Sequence, residues 1–339
     1  MHELVKRAFF LTARSKAFSR FLRLLEQVDD RRPNLLRVLA YHRIDRLDAR
    51  PDLSRTLISA TPDEFDQQME FLAAKYHVVS MQEVRDAFAR CAPLPPRAVL
   101  LTFDDAYQDF AEHAWPILKR YRLPATLFVP TAFPDDPEQI FWWDRLYQAV
   151  SSTDRRVLET SCGRIPLATV RQRRAAFVRL GTQVVSLPHC EAMPWVEEIC
   201  NQLDAPASQS GVLSWAALRG LASEGVTLGA HTRTHPLLNR VSPKEAEAEA
   251  AGSLRDLQRE IGPICPVLAY PNGSFSGEVV QVVERAGFEL AFTMARGLVD
   301  VRTADRLRLH RLYVGPRTTL PVLRAQLLQW SVYLNQSVA

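Results

Sequence analysis

Residues 98–105 read AVLLTFDD, and this stretch indicates the class of fold. Six apolar or strand-favouring residues follow one another without interruption, as in a strand that is buried on both faces of a parallel sheet. The strand then runs into two carboxylates, Asp104 and Asp105. Reactive groups of parallel α/β folds lie at the carboxyl ends of the strands. The stretch therefore predicts an α/β protein with a reactive centre that begins at residue 104.

Short apolar strands and helical segments alternate on both sides of this stretch. Further strands are predicted at residues 35–41, 78–79, 125–129, 226–230, 266–270, 290–293 and 309–314. Helices are predicted at residues 61–75, 81–90, 109–120, 215–224, 244–261 and 278–286. This order predicts a parallel α/β sheet or barrel.

The alternation lapses between residues 134 and 211, which we interpret as a mostly helical insertion. It opens with the aromatic run Phe141, Trp142 and Trp143, which either anchors the insertion in its core or stacks on a sugar. We favour the first role, in which these aromatic side chains anchor the insertion. The chain then divides into an N-terminal amphipathic helix (1–30), a barrel (31–133 and 212–320), the insertion (134–211) and a C-terminal helix (321–339).

The composition is that of an ordinary folded protein, with 339 residues of which 47% are hydrophobic and 24% charged. The net charge of +4 is spread along the chain, which argues against a nucleic-acid binder. Five cysteines without CxxC spacing argue against a disulfide framework or a cysteine zinc site. No signal-peptide pattern and no apolar span of about 18 residues is found, so we expect a cytoplasmic protein.

Residues 4–25 place apolar side chains at helical spacing, with basic residues mostly between them. A helix that packs on its own barrel has this pattern. So has a helix that lies on a membrane surface. We expect packing, and keep peripheral contact with an inner membrane through residues 4–25 as the alternative. The sequence does not indicate an oligomeric state.

Two histidines, His231 and His235, follow another predicted strand in the segment GAHTRTHP. Imidazoles four residues apart can point at one ion, although lone histidines are mostly structural. The carboxylate pair can cap a helix, or one member can ligate metal while the other faces substrate. Two imidazoles and one carboxylate form a site that suits zinc first, and also cobalt, nickel, manganese or iron. With a second carboxylate as base, these are the ingredients of amide hydrolysis.

The segment AYPNG at 269–273 follows a further predicted strand and forces a tight turn. Its exposed backbone N–H groups are candidates for an oxyanion hole, although such a segment is usually only a turn. His42 ends the first strand and could border the site, or serve as a hydrogen-bonded structural histidine.

Four segments in this order resemble the polysaccharide deacetylase (NodB-homology) family, carbohydrate esterase family four. They are TFDD (102–105), HTRTH (231–235), YPNG (270–273) and LRLH (307–310). The resemblance covers roughly residues 35–135 and 212–315. It implies a distorted (β/α) barrel of about seven strands.

The resemblance also implies roles for individual residues. Asp104 is the expected catalytic base, and Asp105, His231 and His235 are the expected metal ligands. The backbone near Asn272 would join the oxyanion hole, and His310 is the candidate acid. Substrate contacts are expected from Tyr270, Pro271 and His42.

The chain departs from the family pattern in three places. Many members carry an arginine that orients the base where this chain has Ala269, so we expect that Arg296 or Arg311 replaces it or that Asp104 is tuned differently. The family's Asp-x-x-Asp-Trp motif before His310 has no clear counterpart, since residues 293–297 read TMARG. At position 272, where the family usually has an aromatic residue, this chain has asparagine.

Our leading hypothesis is metal-dependent hydrolysis of an N-acetyl group on an amino sugar. The substrate would be a polysaccharide, a lipid-linked saccharide or a glycan precursor of the cell envelope. A deformylase or other small-amide hydrolase on the same fold is the first alternative. A catalytically silent carbohydrate-binding protein, suggested by Ala269 and Asn272, is the second.

Overall fold

The computed structural model describes residues 22, 24–26, 33–46, 54–136, 140–161, 163–205 and 211–328. Most of the predicted N-terminal helix at residues 4–25 therefore lies outside the described residues, as do residues 329–339 of the predicted C-terminal helix. Leu22 and residues 24–26 are helical. Leu22 packs against Ala325 and Leu328, so this turn contacts the C-terminal end of the described chain.

Thirteen strands are described. In chain order they are β1 (Leu35–Tyr41), β2 (Arg43–Ile44), β3 (Ile58–Ala60), β4 (His77–Val78), β5 (Ala98–Phe103), β6 (Thr126–Val129), β7 (Val157–Thr160), β8 (Gly163–Pro166), β9 (Thr227–Ala230), β10 (Val267–Ala269), β11 (Leu290–Phe292), β12 (Val299–Asp300) and β13 (Leu312–Tyr313). Nine of them form one sheet, along the path β11-β10-β9-β6-β5-β1-β12, with β13 paired to β1 and β4 paired to β5. All these pairings are parallel except that of β1 with β12.

Ten α-helices accompany the described strands. They are α1 (Pro62–Lys75), α2 (Met81–Arg90), α3 (Trp115–Tyr121), α4 (Trp142–Ser152), α5 (Val170–Ser186), α6 (His189–Gln202), α7 (Trp215–Ser223), α8 (Pro243–Ile261), α9 (Gly277–Arg285) and α10 (Leu320–Leu327). The predicted helix at 109–120 instead starts with a π-helical turn at Phe110–Ala114 before α3. Thr61 and Glu64 form a capping box at the start of α1, which explains why that helix was predictable.

The two faces of the sheet bury different side chains. Along β5, Val99, Leu101 and Phe103 pack in the core shared with the helices, whereas Ala98 and Leu100 pack in a second core. Successive strand residues alternate between faces. The same alternation gives Asp104 and Asp105, which follow the strand, different surroundings.

The segment from residue 309 to 313 links the two ends of the curled sheet. Leu309 forms a parallel bridge with Phe292 of β11, and Leu312 pairs with Leu39 of β1. This closure confirms the predicted distorted barrel. The predicted strand at 309–314 is shorter than expected, since regular pairing is confined to Leu312–Tyr313.

The insertion consists of α4, the antiparallel β7–β8 hairpin, α5 and α6 around a core of its own. The hairpin is an addition to the mostly helical segment that we predicted. Phe141 is buried in the main core and stacks on Phe133, as expected of an anchor. Arg43 of the barrel forms a buried ion pair with Asp144 of α4, at 2.9 Å. Among the described residues, no helix has the length and apolar character needed to cross a membrane.

Candidate active site

Three loops at the carboxyl ends of parallel strands in one sheet form the site. Asp104 and Asp105 follow β5, His231 and His235 follow β9, and Asn272 follows β10. Asp105, His235 and Asn272 adopt the left-handed backbone region, with φ of 72°, 61° and 53°. Residues with a side chain rarely adopt this region, and such strain concentrates at functional sites.

Asp105, His231 and His235 bring one ligand atom each to a common point. The Oδ1 atom of Asp105 lies 3.5 Å from Nε2 of His231 and 3.4 Å from Nε2 of His235. The two Nε2 atoms are 3.2 Å apart. These three residues form a candidate metal site, as the sequence predicted.

The chemistry of this set fits a divalent metal ion. The Nδ1 atom of His231 lies 2.7 Å from the carbonyl oxygen of Ala269, which orients the ring and leaves Nε2 towards the other two ligands. Burial lowers the pKa of both histidines, and His231 further lowers that of His235, so neutral imidazoles are favoured. Oδ1 of Asp105 is buried without a hydrogen-bond partner. A cation would satisfy that oxygen.

Glu249 of α8 holds the loop between the two histidines. One carboxylate oxygen accepts hydrogen bonds from the backbone N–H groups of Arg233 and Thr234, at 2.7 and 2.8 Å. The other accepts the hydroxyl of Thr234 at 2.7 Å. Three bonds from one side chain fix the backbone that spaces His231 from His235.

Arg311 forms a buried two-point ion pair with Asp104. Its two terminal nitrogens each donate to one carboxylate oxygen at 2.8 Å, and its Nε donates to the carbonyl of Thr293 at 2.9 Å. Burial alone would raise the pKa of Asp104, but the charge and the hydrogen bonds of Arg311 hold it well below its usual range. Of the two arginines proposed to replace the one missing at Ala269, Arg311 is therefore at the site. Arg296 is exposed, and none of the described hydrogen bonds or ion pairs joins it to Asp104.

His42 borders the same carboxylate. Its Nε2 lies 4.0 Å from Oδ2 of Asp104, and its ring packs edge-on against Tyr313. Burial lowers the pKa of His42 to about 4, against the opposing effect of the Asp104 charge. His42 thus contacts the centre of the site.

The structure places three expected site residues elsewhere. His310 is exposed and lies against Gly297, because alternation turns it away from the face on which Arg311 reaches Asp104. Tyr270 is fully buried and donates its hydroxyl to the carbonyl of Leu307, so it is a core residue. Pro271 is also buried and does not line the cavity beside the metal set. These positions do not support the expected roles of His310 as acid and of Tyr270 and Pro271 as substrate contacts.

The site opens into a cavity of about 590 Å³. Asp104, His42 and Asn272 line it together with the metal set, and the insertion supplies the rest of one side. Trp143 packs edge-on against His235, at 4.9 Å between ring centres, and donates its indole N–H to the hydroxyl of Tyr107. Trp142 also lines the cavity, so the alternative that part of the aromatic run contacts substrate stays open beside the anchoring role of Phe141.

Comparison with known proteins agrees with this geometry. Residues 92–162 and 165–291 match the family described as polysaccharide deacetylase. A poly-β-1,6-N-acetyl-D-glucosamine N-deacetylase of Escherichia coli (strain K12) is 24% identical over 235 residues, which are 68% of this chain and 30% of that protein. The chain therefore spans less than a third of that relative's length.

Two solved structures share the fold. A Streptococcus pyogenes deacetylase, PplD, in complex with acetate, has a TM-score of 0.59 and 21% identity, covering 87% of this chain and 99% of its own. IcaB from Ammonifex degensii has a TM-score of 0.57 and 20% identity, covering 86% of this chain and 97% of its own.

Proposed function

This chain belongs to the polysaccharide deacetylase family, and from that premise we propose that it is a metal-dependent hydrolase that removes the N-acetyl group from an amino sugar in a saccharide. The observation that carries the proposal is that a candidate metal ligand and a candidate base are adjacent at the end of one strand. Asp105 completes a candidate metal site with two histidines, while the adjacent Asp104 is held ionised by Arg311.

The proposed chemistry divides among these side chains. A divalent ion held by Asp105, His231 and His235, with zinc as the first candidate, would supply Lewis acidity to the amide carbonyl. Asp104 accepts the proton of the attacking water, because Arg311 keeps its carboxylate free of a proton beforehand.

A proton must also reach the amine nitrogen as the amide C–N bond breaks. Asp104 holds the proton taken from the water, and we assign the relay of that proton to the amine to His42, which faces Asp104 from the cavity wall. The backbone at the Asn272 turn borders the same cavity and is our candidate donor to the developing oxyanion.

Arg311 also bears on the alternative of a silent carbohydrate-binding protein. That hypothesis was suggested by Ala269 and Asn272, and Arg311, just before β13, now supplies to Asp104 the guanidinium that is missing at Ala269. A formamide hydrolase would use the same centre, so substrate profiling must separate it from a deacetylase.

The test is amine release by the purified protein after metal loading. We expect turnover of β-1,6-linked N-acetylglucosamine oligomers, on the analogy of the E. coli relative, and loss of about 10²-fold or more in Asp104→Asn with the fold intact. β-1,4-linked oligomers and N-formyl sugars serve as comparison substrates. Faster turnover of the N-formyl sugars would favour the formamide hydrolase, and no amine release from any substrate would refute the proposal.

A further inference from the structure

Apolar side chains of the insertion form one side of the cavity opposite the metal set. We call this surface the insertion wall. Its members are Trp142, Phe177, Val178, Val184, Val185, Leu187, Ala192 and Met193. They come from α4, from α5, from α6 and from the turn between α5 and α6. The wall and the four chemically active residues line a single continuous cavity.

Part of the wall has no role in holding the insertion together. Val184 and Ala192 are buried in the insertion core, and Trp142, Phe177, Leu187 and Met193 pack against it. Val178 and Val185 belong to none of the described hydrophobic cores. Val178 leaves 63% of its surface exposed although it is a large apolar residue. At another edge of the cavity, Tyr313 is 40% exposed. Exposed apolar side chains that converge on a ligand cavity usually contact the ligand.

The residue types of the wall match a hydrocarbon better than a bare saccharide. Sugars are bound by aromatic faces together with several hydrogen-bonding side chains. Here aliphatic valine, leucine and methionine predominate, and the polar residues bordering the wall are few. They are Thr182, His189 and Arg240.

Resting on the proposed function, we propose that the substrate is an amino sugar joined to a hydrocarbon chain, such as a lipid-linked saccharide, and that this chain lies along the insertion wall. The departing acyl group must lie beside Asp105 and His231, each only 2% exposed. The wall instead reaches the exposed edge of the cavity at Val178. A chain along it therefore extends from the part of the substrate that the enzyme retains, rather than from the acyl group.

The probes are N-acetylglucosamine glycosides with methyl, butyl or octyl aglycones, used below the concentration at which octyl glycosides form micelles. Complete burial of one methylene improves binding about fourfold. We therefore expect kcat/KM to rise at least tenfold from methyl to octyl, and the octyl glycoside to bind correspondingly tighter by calorimetry. Val178→Asp should remove most of this gain without changing turnover of the methyl glycoside.

Val170→Asp is the matched control, because Val170 lies on the same helix, is 67% exposed and does not line the cavity. It should retain the full dependence on chain length. Equal kcat/KM for all three aglycones, with turnover intact, would overturn the lipid inference and leave the proposed function standing. A second outcome is that no glycoside is turned over, but the octyl glycoside binds more tightly than the methyl glycoside and Val178→Asp abolishes this difference. That outcome would overturn the proposed function and leave the lipid inference standing.

Two further results would also overturn the inference. The first is a gain in kcat/KM that follows the length of the N-acyl chain instead of the length of the aglycone. This result would place the hydrocarbon on the departing acyl group. The second is a change in oligomeric mass in Val178→Asp without a change in chain-length dependence, which would make the wall a protein contact.

Discussion

Arg311 meets Asp104 through two parallel hydrogen bonds of 2.8 Å, at the point where residues 309–313 close the barrel. The pair joins the carboxyl end of β5 to the closing segment, and both side chains are almost wholly buried. Closure of the fold and ionisation of the proposed base therefore depend on the same contact.

Removal of Arg311 should harm both stability and activity. Arg311→Leu leaves Asp104 buried and uncompensated, so we expect a loss of about 3–5 kcal/mol in the free energy of unfolding. The pKa of Asp104 should rise, so the acid limb of the rate profile should move to higher pH. Arg311→Lys should lose less stability, because lysine keeps the positive charge but cannot form both parallel hydrogen bonds.

Urea denaturation and pH–rate profiles measure these effects. Arg296→Leu is the control, because Arg296 is exposed and forms none of the described hydrogen bonds or ion pairs with Asp104. An Arg311→Leu protein with wild-type stability and an unchanged profile would show that the pair is dispensable.

His42 and His310 should respond in opposite ways to replacement. His42→Ala should lower kcat by about 10²-fold at unchanged metal content, because general acid–base groups contribute at least that much. His310→Ala should remain within about twofold of wild type, since its ring is turned away from the site. Steady-state kinetics on the same oligosaccharide compare them, and a larger loss in His310→Ala would reverse our assignment.

Zinc should stabilise the protein through the three-residue set. A ligand present at 100 times its Kd adds about 2.7 kcal/mol to the free energy of unfolding. Addition of zinc should therefore raise Tm in wild type and not in His235→Ala. His189→Ala is the control, since His189 lines the cavity outside the set. An equal rise in Tm in wild type and His235→Ala would place the ion elsewhere.

Glu249 should act on metal affinity through the loop that it holds. Glu249→Ala removes three hydrogen bonds to residues 233 and 234, and loss of such supporting contacts weakens metal binding by about 10–100-fold. Glu247→Ala on the same helix is the control, because Glu247 is exposed. Competition with a chromogenic chelator gives the metal affinities of both variants. Equal affinities would refute the role of Glu249 in holding the loop for metal binding.

Asp109 should make stability depend on pH. Burial raises its pKa to about 6, in spite of Arg43 and a hydrogen bond from the backbone of Ile44. A folded-state pKa above the unfolded value means that the folded protein binds the proton more tightly. The contribution of Asp109 to stability is therefore present below about pH 4 and is lost as the pH rises to about 6.

The comparison of wild type with Asp109→Asn isolates this group from the other carboxylates. Asparagine can still accept the hydrogen bond from Ile44, so the variant should gain stability relative to wild type between pH 4 and 6 and then level off. Chemical denaturation at several pH values measures the difference. A difference that does not vary with pH would mean that Asp109 has an ordinary pKa.

The sequence predicted those parts of the site that depend on local pattern. A buried strand that ends in Asp104 and Asp105, and a second that ends in His231, placed the reactive groups at one edge of the sheet. The choice between Arg296 and Arg311 could not be made in this way, because it depends on how the chain closes the barrel far from β5 in sequence. The orientation of His310 could not be predicted for the same reason, since a shift of one residue along an extended segment reverses the face.

The burial of Tyr270 in the YPNG segment could not be predicted from the sequence either. A Tyr-Pro sequence at a strand end gives the same pattern whether the ring points to substrate or into the core. Only the hydroxyl contact of Tyr270 with the carbonyl of Leu307 distinguishes the two.

The buried ion pair between Arg43 and Asp144 limits how this protein could be shortened. A minimal barrel made by excising residues 140–205 would leave the guanidinium of Arg43 over the Tyr107 ring with Asp109 as its remaining carboxylate partner among those described. Trp143 would be lost from the His235 ring in the same cut. A functional truncation would therefore have to redesign Arg43 and the surroundings of His235 together, which makes the insertion a poor candidate for exchange as a separable module.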